Sequence, residues 1–130
     1  MEAAKILVVD DEAYLTSIVT MKLQAAGYTA ITAADGDEGF RVATTEKPDL
    51  IISDFQMPIL SGVEMAIQLR HHPATANTPI LLLTARGHRI DETQLGQTSI
   101  RHIITKPFSS RDLLDKVRET LASLTKASAA

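Results

Sequence analysis

Five short runs of β-branched and leucine-rich residues recur along the chain with helical patterns between them, and this alternation restricts the fold most. The runs fall at Lys5–Val9, Thr29–Ala33, Leu50–Ser53, Ile80–Leu83 and Ile103–Thr105. The first, third and fourth are almost wholly apolar, as parallel strands covered on both faces must be. Strand–helix alternation predicts a parallel sheet with helices on both sides and right-handed crossovers, a (βα)5 unit. The longest apolar runs, Ile6–Val9 and Ile80–Leu83, are strand-sized and far too short to span a bilayer.

Helical periodicity is clearest near the two ends. Leu15, Ile18, Val19, Leu23 and Ala26 follow an i, i+3, i+4 rhythm, with Gly27 where a helix C-cap belongs. Leu113, Leu114, Val117, Leu121 and Leu124 repeat the rhythm, and Ser109 followed by Asp112 resembles a capping box. Asp35–Glu46 and Ser61–His71 read as intermediate helices, the former weakened by Gly39. The five prolines, at 48, 58, 73, 79 and 107, all fall between these elements. A fourth helix is expected between Thr84 and Ile103, but Arg89–Ser99 offers only Ile90 and Leu95 as large apolar anchors, so it should be short or mobile. Met21 and Met65 read as core filling and Met57 as part of a turn. Residues 1–130 form one domain, with a core at about 5–124 and a tail at 125–130 expected to fray.

The chain has 130 residues, 45% apolar and 22% charged, enough for a single core. A net charge of −3 argues against direct nucleic-acid binding, because phosphate contacts call for a basic surface. The absence of cysteine removes disulfides, thiolate metal sites and Cys nucleophiles. Met1–Lys5 lacks the apolar stretch of a signal peptide, so a soluble, cytoplasmic protein with no membrane partner is expected.

In open parallel sheets, ligands bind beyond the carboxyl ends of the strands, where strand order reverses. Beyond the first strand stand Asp10, Asp11 and Glu12; beyond the third, Asp54; beyond the fourth, Thr84; beyond the fifth, Lys106 and Pro107. Clustered carboxylates repel one another, and an oxygen-seeking divalent cation such as Mg²⁺ relieves the conflict. Cation, ammonium and hydroxyl together can neutralise a phosphoryl group approaching a carboxylate nucleophile. Glu12 by itself reads as a helix cap or a solvated acid. His71, His72, His88 and His102 lack metal-ligand spacing and read as solvated or capping groups.

The segments Ile6-Leu-Val-Val-Asp-Asp-Glu12, Asp49-Leu-Ile-Ile-Ser-Asp-Phe-Gln-Met-Pro-Ile-Leu-Ser-Gly62, Leu83-Thr-Ala85 and Thr105-Lys-Pro-Phe108 together resemble the receiver domain of two-component response regulators. The resemblance runs from Lys5 to about Leu124 and is similar to the single-domain chemotaxis receiver. It implies a flavodoxin-like sandwich with strand order 2-1-3-4-5. It also implies that Asp54 accepts a phosphoryl group and that Asp11 ligates Mg²⁺ or Mn²⁺ directly. Asp10 would then act on the metal through water, and Gln56 would offer its backbone carbonyl. Thr84 would bond the phosphoryl group, Lys106 would pair with one of its oxygens, and Lys106-Pro107 would be cis. Pro58 and Gly62 would shape the loop after Asp54. The implied donor is a sensor histidine kinase or a histidine phosphotransfer protein, and the output a downstream effector protein or domain. On this resemblance the chain is no enzyme beyond its own phosphorylation and dephosphorylation.

Two features depart from the family pattern. Ile103 stands where most receivers carry a switching aromatic; it can fill an inward pocket but has no ring to swing. Ser99-Ile100 replaces a small Gly-Ala pair at the end of the fourth helix. The response to phosphorylation is therefore expected to run through Thr84 and backbone or helix mobility. Gln56, Ala85 and Arg86 flank the phosphoryl position; Arg86 either shields it from water or lies in solvent. The competing functions are a Mg²⁺-dependent phosphohydrolase with Asp54 as nucleophile and an interaction module that works unphosphorylated. Gln56 cannot serve such a hydrolase as a general acid. One (βα)5 unit fills the 130 residues, so output is expected from a partner or from sequence outside them.

Overall fold

The computed structural model describes residues 3–85 and 90–129, with side chains through 124. The chain runs β1 (Lys5–Val9), α1 (Ala13–Ala25), β2 (Thr29–Ala33), α2 (Gly36–Glu46) and β3 (Leu50–Asp54). It continues through α3 (Gly62–Arg70), β4 (Ile80–Thr84), α4 (Glu92–Leu95), β5 (Ile100–Thr105) and α5 (Ser110–Ala129). All strand pairs are parallel, in the order β2-β1-β3-β4-β5.

The apolar runs are explained by this order. β1, β3 and β4 are interior strands, so successive side chains enter two different cores. Ile6, Val8, Leu50, Ile52, Leu81 and Leu83 pack with Val19 and Leu23 of α1 and Leu113 and Val117 of α5. Leu7, Val9, Ile51 and Ile80 pack on the other face with Ala43 of α2 and Met65, Ala66 and Leu69 of α3. The edge strands β2 and β5 are only partly covered, which matches their polar interruptions.

Register fixes the functional edge. Val9 lies opposite Ser53, Asp54 opposite Leu83, and Thr84 opposite Thr105. Asp10 therefore leaves the sheet level with Asp54, and Lys106 follows Thr105 just beyond, within reach of it.

Most boundaries agree with the sequence to within a residue, and the differences have local causes. β5 begins at Ile100 rather than Ile103, after a register shift that carries the ladder from Ile100 to His102 past Arg101. α5 continues to Ala129 where fraying was expected; its last residues are dominated by Ala and Ser around one Lys, and alanine is the strongest helix former. α4 is a single turn of four residues, in line with its sparse apolar anchors. Met21 is 60% exposed and is no core residue: α1 turns Leu15, Val19 and Leu23 to the sheet, and position 21 lies off that stripe. Met65 is fully buried as expected. Gly27 follows α1 with φ +98°, the left-handed conformation that ends helices.

Close approach at Gly62 joins the fold to the site. A methyl group there would overlap the backbone carbonyl oxygen of Asp54 and lie 2.7 Å from Leu82 Cδ1. Gly96, by contrast, has ordinary helical φ and no atom closer than 3.5 Å to a built Cβ. Gly62→Ala is expected to lower stability by about 1–3 kcal/mol through overpacking. Gly96→Ala should leave stability equal or slightly higher, because it only restricts the unfolded chain. Urea denaturation of both variants checks the contrast.

Candidate functional site

Beyond the carboxyl ends of β1 and β3, where the connections diverge to opposite sides of the sheet, one oxygen each from Asp10, Asp11 and Asp54 gathers within 4.8 Å. Asp10 and Asp54 are almost completely buried, while Asp11 faces solvent. A cleft of about 430 Å³ lined by Asp11, Glu12, Asp54, Gln56, Ala85 and Lys106 opens over them. The sequence had placed every one of these residues at the site, Glu12 as a bystander.

Lys106 answers Asp54 directly. Its Nζ lies 2.8 Å from Asp54 Oδ1, across the gap between β5 and β3. The Lys106-Pro107 bond is cis, as the resemblance implies. Burial alone would lower the Lys106 pKa; its hydrogen bond and attraction to Asp54, helped by Asp10 and Glu12, outweigh that and hold it above 10.5. The ammonium is therefore a permanent positive charge beside Asp54.

Asp10 has no such cation. Its Oδ1 accepts a hydrogen bond from the Glu12 backbone N–H at 2.9 Å, while Oδ2 is buried without a partner among the described residues. Burial pushes its carboxyl up from 3.8 to about 6, the Glu12 N–H working against that shift and the nearby Asp54 charge adding to it. A buried, half-satisfied carboxylate beside two others is the arrangement that a divalent cation completes. The donors are hard oxygens, which suits Mg²⁺, and the exposed Asp11 keeps the site open to solvent.

Thr84 ends β4 with its side chain buried, and among the described residues its hydroxyl contacts only the Ala85 carbonyl, at 3.5 Å. That is the outer limit of a hydrogen bond, so the hydroxyl is available to a stronger acceptor. Glu12 occupies the N-cap position of α1 but makes no side-chain cap bond, and it is exposed. Ile103, which the sequence allows to fill an inward pocket, is 42% exposed on β5. The alternation of β5 gives the buried position to Ile104 instead. Arg86 and His88 lie outside the described residues. His71 caps the end of α3, and His72 accepts a bond from the Ala74 N–H while its ring packs edge-on against Phe40.

Two supports of the site went unread in the sequence. Ser61 and Glu64 form a reciprocal capping box that starts α3, and the Ser-x-x-Glu spacing was the available signal. Gly36 lets Leu60 lie against the start of α2: a built Cβ would stand 2.6 Å from Leu60 Cβ. No local pattern announces that contact.

The pattern that defines the response regulator receiver domain matches residues 6–118. The alkaline phosphatase synthesis transcriptional regulatory protein PhoP of Bacillus subtilis is 41% identical over 117 residues, 90% of this chain and 48% of that protein. The phosphate regulon transcriptional regulatory protein PhoB of Pseudomonas aeruginosa is 36% identical over 93% of this chain and 53% of its own length. The chain thus spans about half the length of these relatives. Among solved structures, chemotaxis response regulator CheY4 of Vibrio cholerae superposes with a TM-score of 0.82 at 34% identity, covering 90% of this chain and 98% of that one. The receiver domain of the Pseudomonas aeruginosa sensor histidine kinase PA1611, solved with magnesium in its active site cleft, gives 0.83 at 25% identity over 92% and 98%. Fold, strand order and matching motifs agree: the chain belongs to the response regulator receiver domain family.

Proposed function

We propose that this chain is a phosphorylation-gated signalling receiver in which Asp54 takes a phosphoryl group from a phosphohistidine on a partner protein. The observation that carries this reading is the Asp54–Lys106 pair, 2.8 Å apart and flanked by two further aspartates. A carboxylate oxygen of Asp54 attacks phosphorus, the P–N bond to the donor imidazole breaks, and the leaving nitrogen takes up a proton. Lys106 follows the negative charge from the free carboxylate to a phosphoryl oxygen. Thr84, with only a long contact to its own chain, donates its hydroxyl to another. Attack of water on the acyl phosphate later returns the carboxylate and releases inorganic phosphate.

Asp10, Asp11 and Asp54 would hold Mg²⁺ together with the Gln56 backbone carbonyl; the bound ion supplies positive charge to the phosphoryl oxygens. A protein donor is supported by a groove of about 440 Å³ between α1 and the start of α5, lined by Tyr14, Ile18, Phe108 and Leu113 among others. Glu12 and Lys106 belong to both this groove and the acceptor cleft, so the two are continuous. A helix laid in the groove could carry its histidine to Asp54. No helix among the described residues is long and apolar enough to cross a membrane, in keeping with a soluble module, which we place in the cytoplasm.

Incubation with phosphoramidate and Mg²⁺ should add the mass of one phosphoryl group to the intact chain, and Asp54→Asn should add none. Turnover of many phosphate esters per chain would instead identify a hydrolase. Lys106→Ala should slow the phosphorylation about 10²-fold, the loss typical of one preorganised charge contact.

The raised pKa of Asp10 fixes a pH dependence. Below about pH 3.8 this carboxyl is protonated in folded and unfolded chains alike. Between 3.8 and about 6 the folded chain keeps the proton longer, so the stability it contributes is lost as pH rises through that window. Without divalent metal, Asp10→Asn should therefore be more stable than wild type at neutral pH, by up to about 3 kcal/mol, and no more stable near pH 4. Added Mg²⁺ should raise the melting temperature of the wild type more than that of the variant. Calorimetry with and without chelator measures both effects.

A further inference from the structure

Ile59 stands out in the segment between β3 and α3. Its φ is +74°, and the Leu60 N–H donates to the Pro58 carbonyl at 2.9 Å. A bond from residue i+2 back to i around a positive-φ centre is the rare, strained form of the γ-turn. A β-branched side chain is the poorest occupant of that conformation, and glycine would take it without strain. Nor does the side chain recover anything inside the fold, since Ile59 is 76% exposed.

The neighbours hold the turn in place. Leu60 is seated on Gly36, where no side chain would fit, and Ser61 is fixed by its capping box with Glu64. The Gly62 N–H closes the segment by donating to the Phe55 carbonyl at 2.8 Å. An apolar side chain is thus displayed to solvent at the one position of the segment where it is least comfortable.

Its surroundings indicate what it meets. A depression lined by Asp11, Gln56, Pro58 and Ser61, among others, lies beside it and shares Asp11 and Gln56 with the acceptor cleft. That cleft in turn shares Glu12 and Lys106 with the α1–α5 groove, whose rim carries Tyr14, itself 79% exposed. The three hollows are joined through these shared residues, with Asp54 in the middle one; Pro58 and Ser61, on either side of Ile59 and Leu60, line the first, and Tyr14 lines the third. A small phosphodonor can reach Asp54 without touching Ile59. A protein that brings a phosphohistidine to Asp54 covers more of this surface, and the exposed Ile59 borders it.

We infer that Ile59 is a specificity residue for the protein phosphodonor, an apolar anchor that partners must accommodate beside their phosphohistidine. This inference rests on the phosphoacceptor reading of Asp54. The test compares wild type with Ile59→Gly, which keeps the turn, and Ile59→Val, which keeps an apolar branched side chain. The probes are phosphoramidate and a panel of purified, autophosphorylated histidine kinases, of which the fastest donor to wild type is kept. Ile59→Gly should melt no lower than wild type and react with phosphoramidate within about twofold of it. Its kcat/KM with the kinase should fall about tenfold, through KM, the loss of one apolar anchor, and Ile59→Val should stay near wild type. Unchanged kinase transfer to Ile59→Gly overturns the inference. So does an equal loss with phosphoramidate, which would place the effect in the acceptor pocket, and so does a panel in which no kinase outpaces phosphoramidate on wild type. Failure of wild type to react with phosphoramidate would instead overturn the reading of Asp54 itself.

Discussion

The arrangement of this molecule depends on the repulsion among three aspartates held at one sheet edge. Parallel register brings Asp10 and Asp54 to the same height, and burial of both removes the water that would screen them. Lys106 offsets part of that cost by pairing with Asp54, and a backbone N–H offsets part of it at Asp10. Among the described residues the second oxygen of Asp10 is still unanswered. The fold therefore holds a deficit of positive charge that a divalent cation would relieve.

The hydrophobic core serves this deficit by making it rigid. β1, β3 and β4 are covered on both faces by large aliphatic side chains, so the acids at their ends cannot move apart to relieve their repulsion. The segment after Asp54 is held as firmly, by the approach of Gly62 to the Asp54 carbonyl and by the capping box at Ser61. Relief must then come from a ligand rather than from relaxation of the backbone. The far edge of the sheet is built differently: α4 is one turn long, and β5 is an edge strand with Ile103 turned partly outward.

How much of this the sequence discloses follows the range of the interactions. Doubly buried strands announce themselves as unbroken apolar runs, and a strand end followed by an acid locates a site, so β1, β3, β4 and the cluster around Asp54 are legible. Edge strands lack that signal: β5 could be read only from Ile103, because its first half is interrupted by Arg101 and His102. Met21 shows the limit of composition, since hydrophobicity alone cannot say which side of a helical stripe a residue occupies. Ile103 shows the same limit for a strand, where one step in register exchanges inside for outside. Gly36 and Ile59 lie beyond local reading altogether: the first is required by Leu60 from another segment, and the second adopts its φ because its neighbours on both sides are fixed.

The same distinction separates chemistry from recognition in this fold. Asp54, the Lys106 ammonium and the Thr84 hydroxyl are supplied by strand ends and are set by the sheet, so the proposed phosphoryl transfer depends on register and on these residues alone. The rim is supplied by loops and helix starts, where Tyr14 and Ile59 are exposed. Large exposed apolar side chains on this rim add nothing to phosphoryl transfer, and they lower solubility unless something covers them. At Ile59 backbone strain adds to that cost, while a glycine would give the same turn without it. Selection among partners is one requirement that acts on the rim and leaves the strand ends untouched, so a specificity function accounts for both the exposed side chain and its conformation.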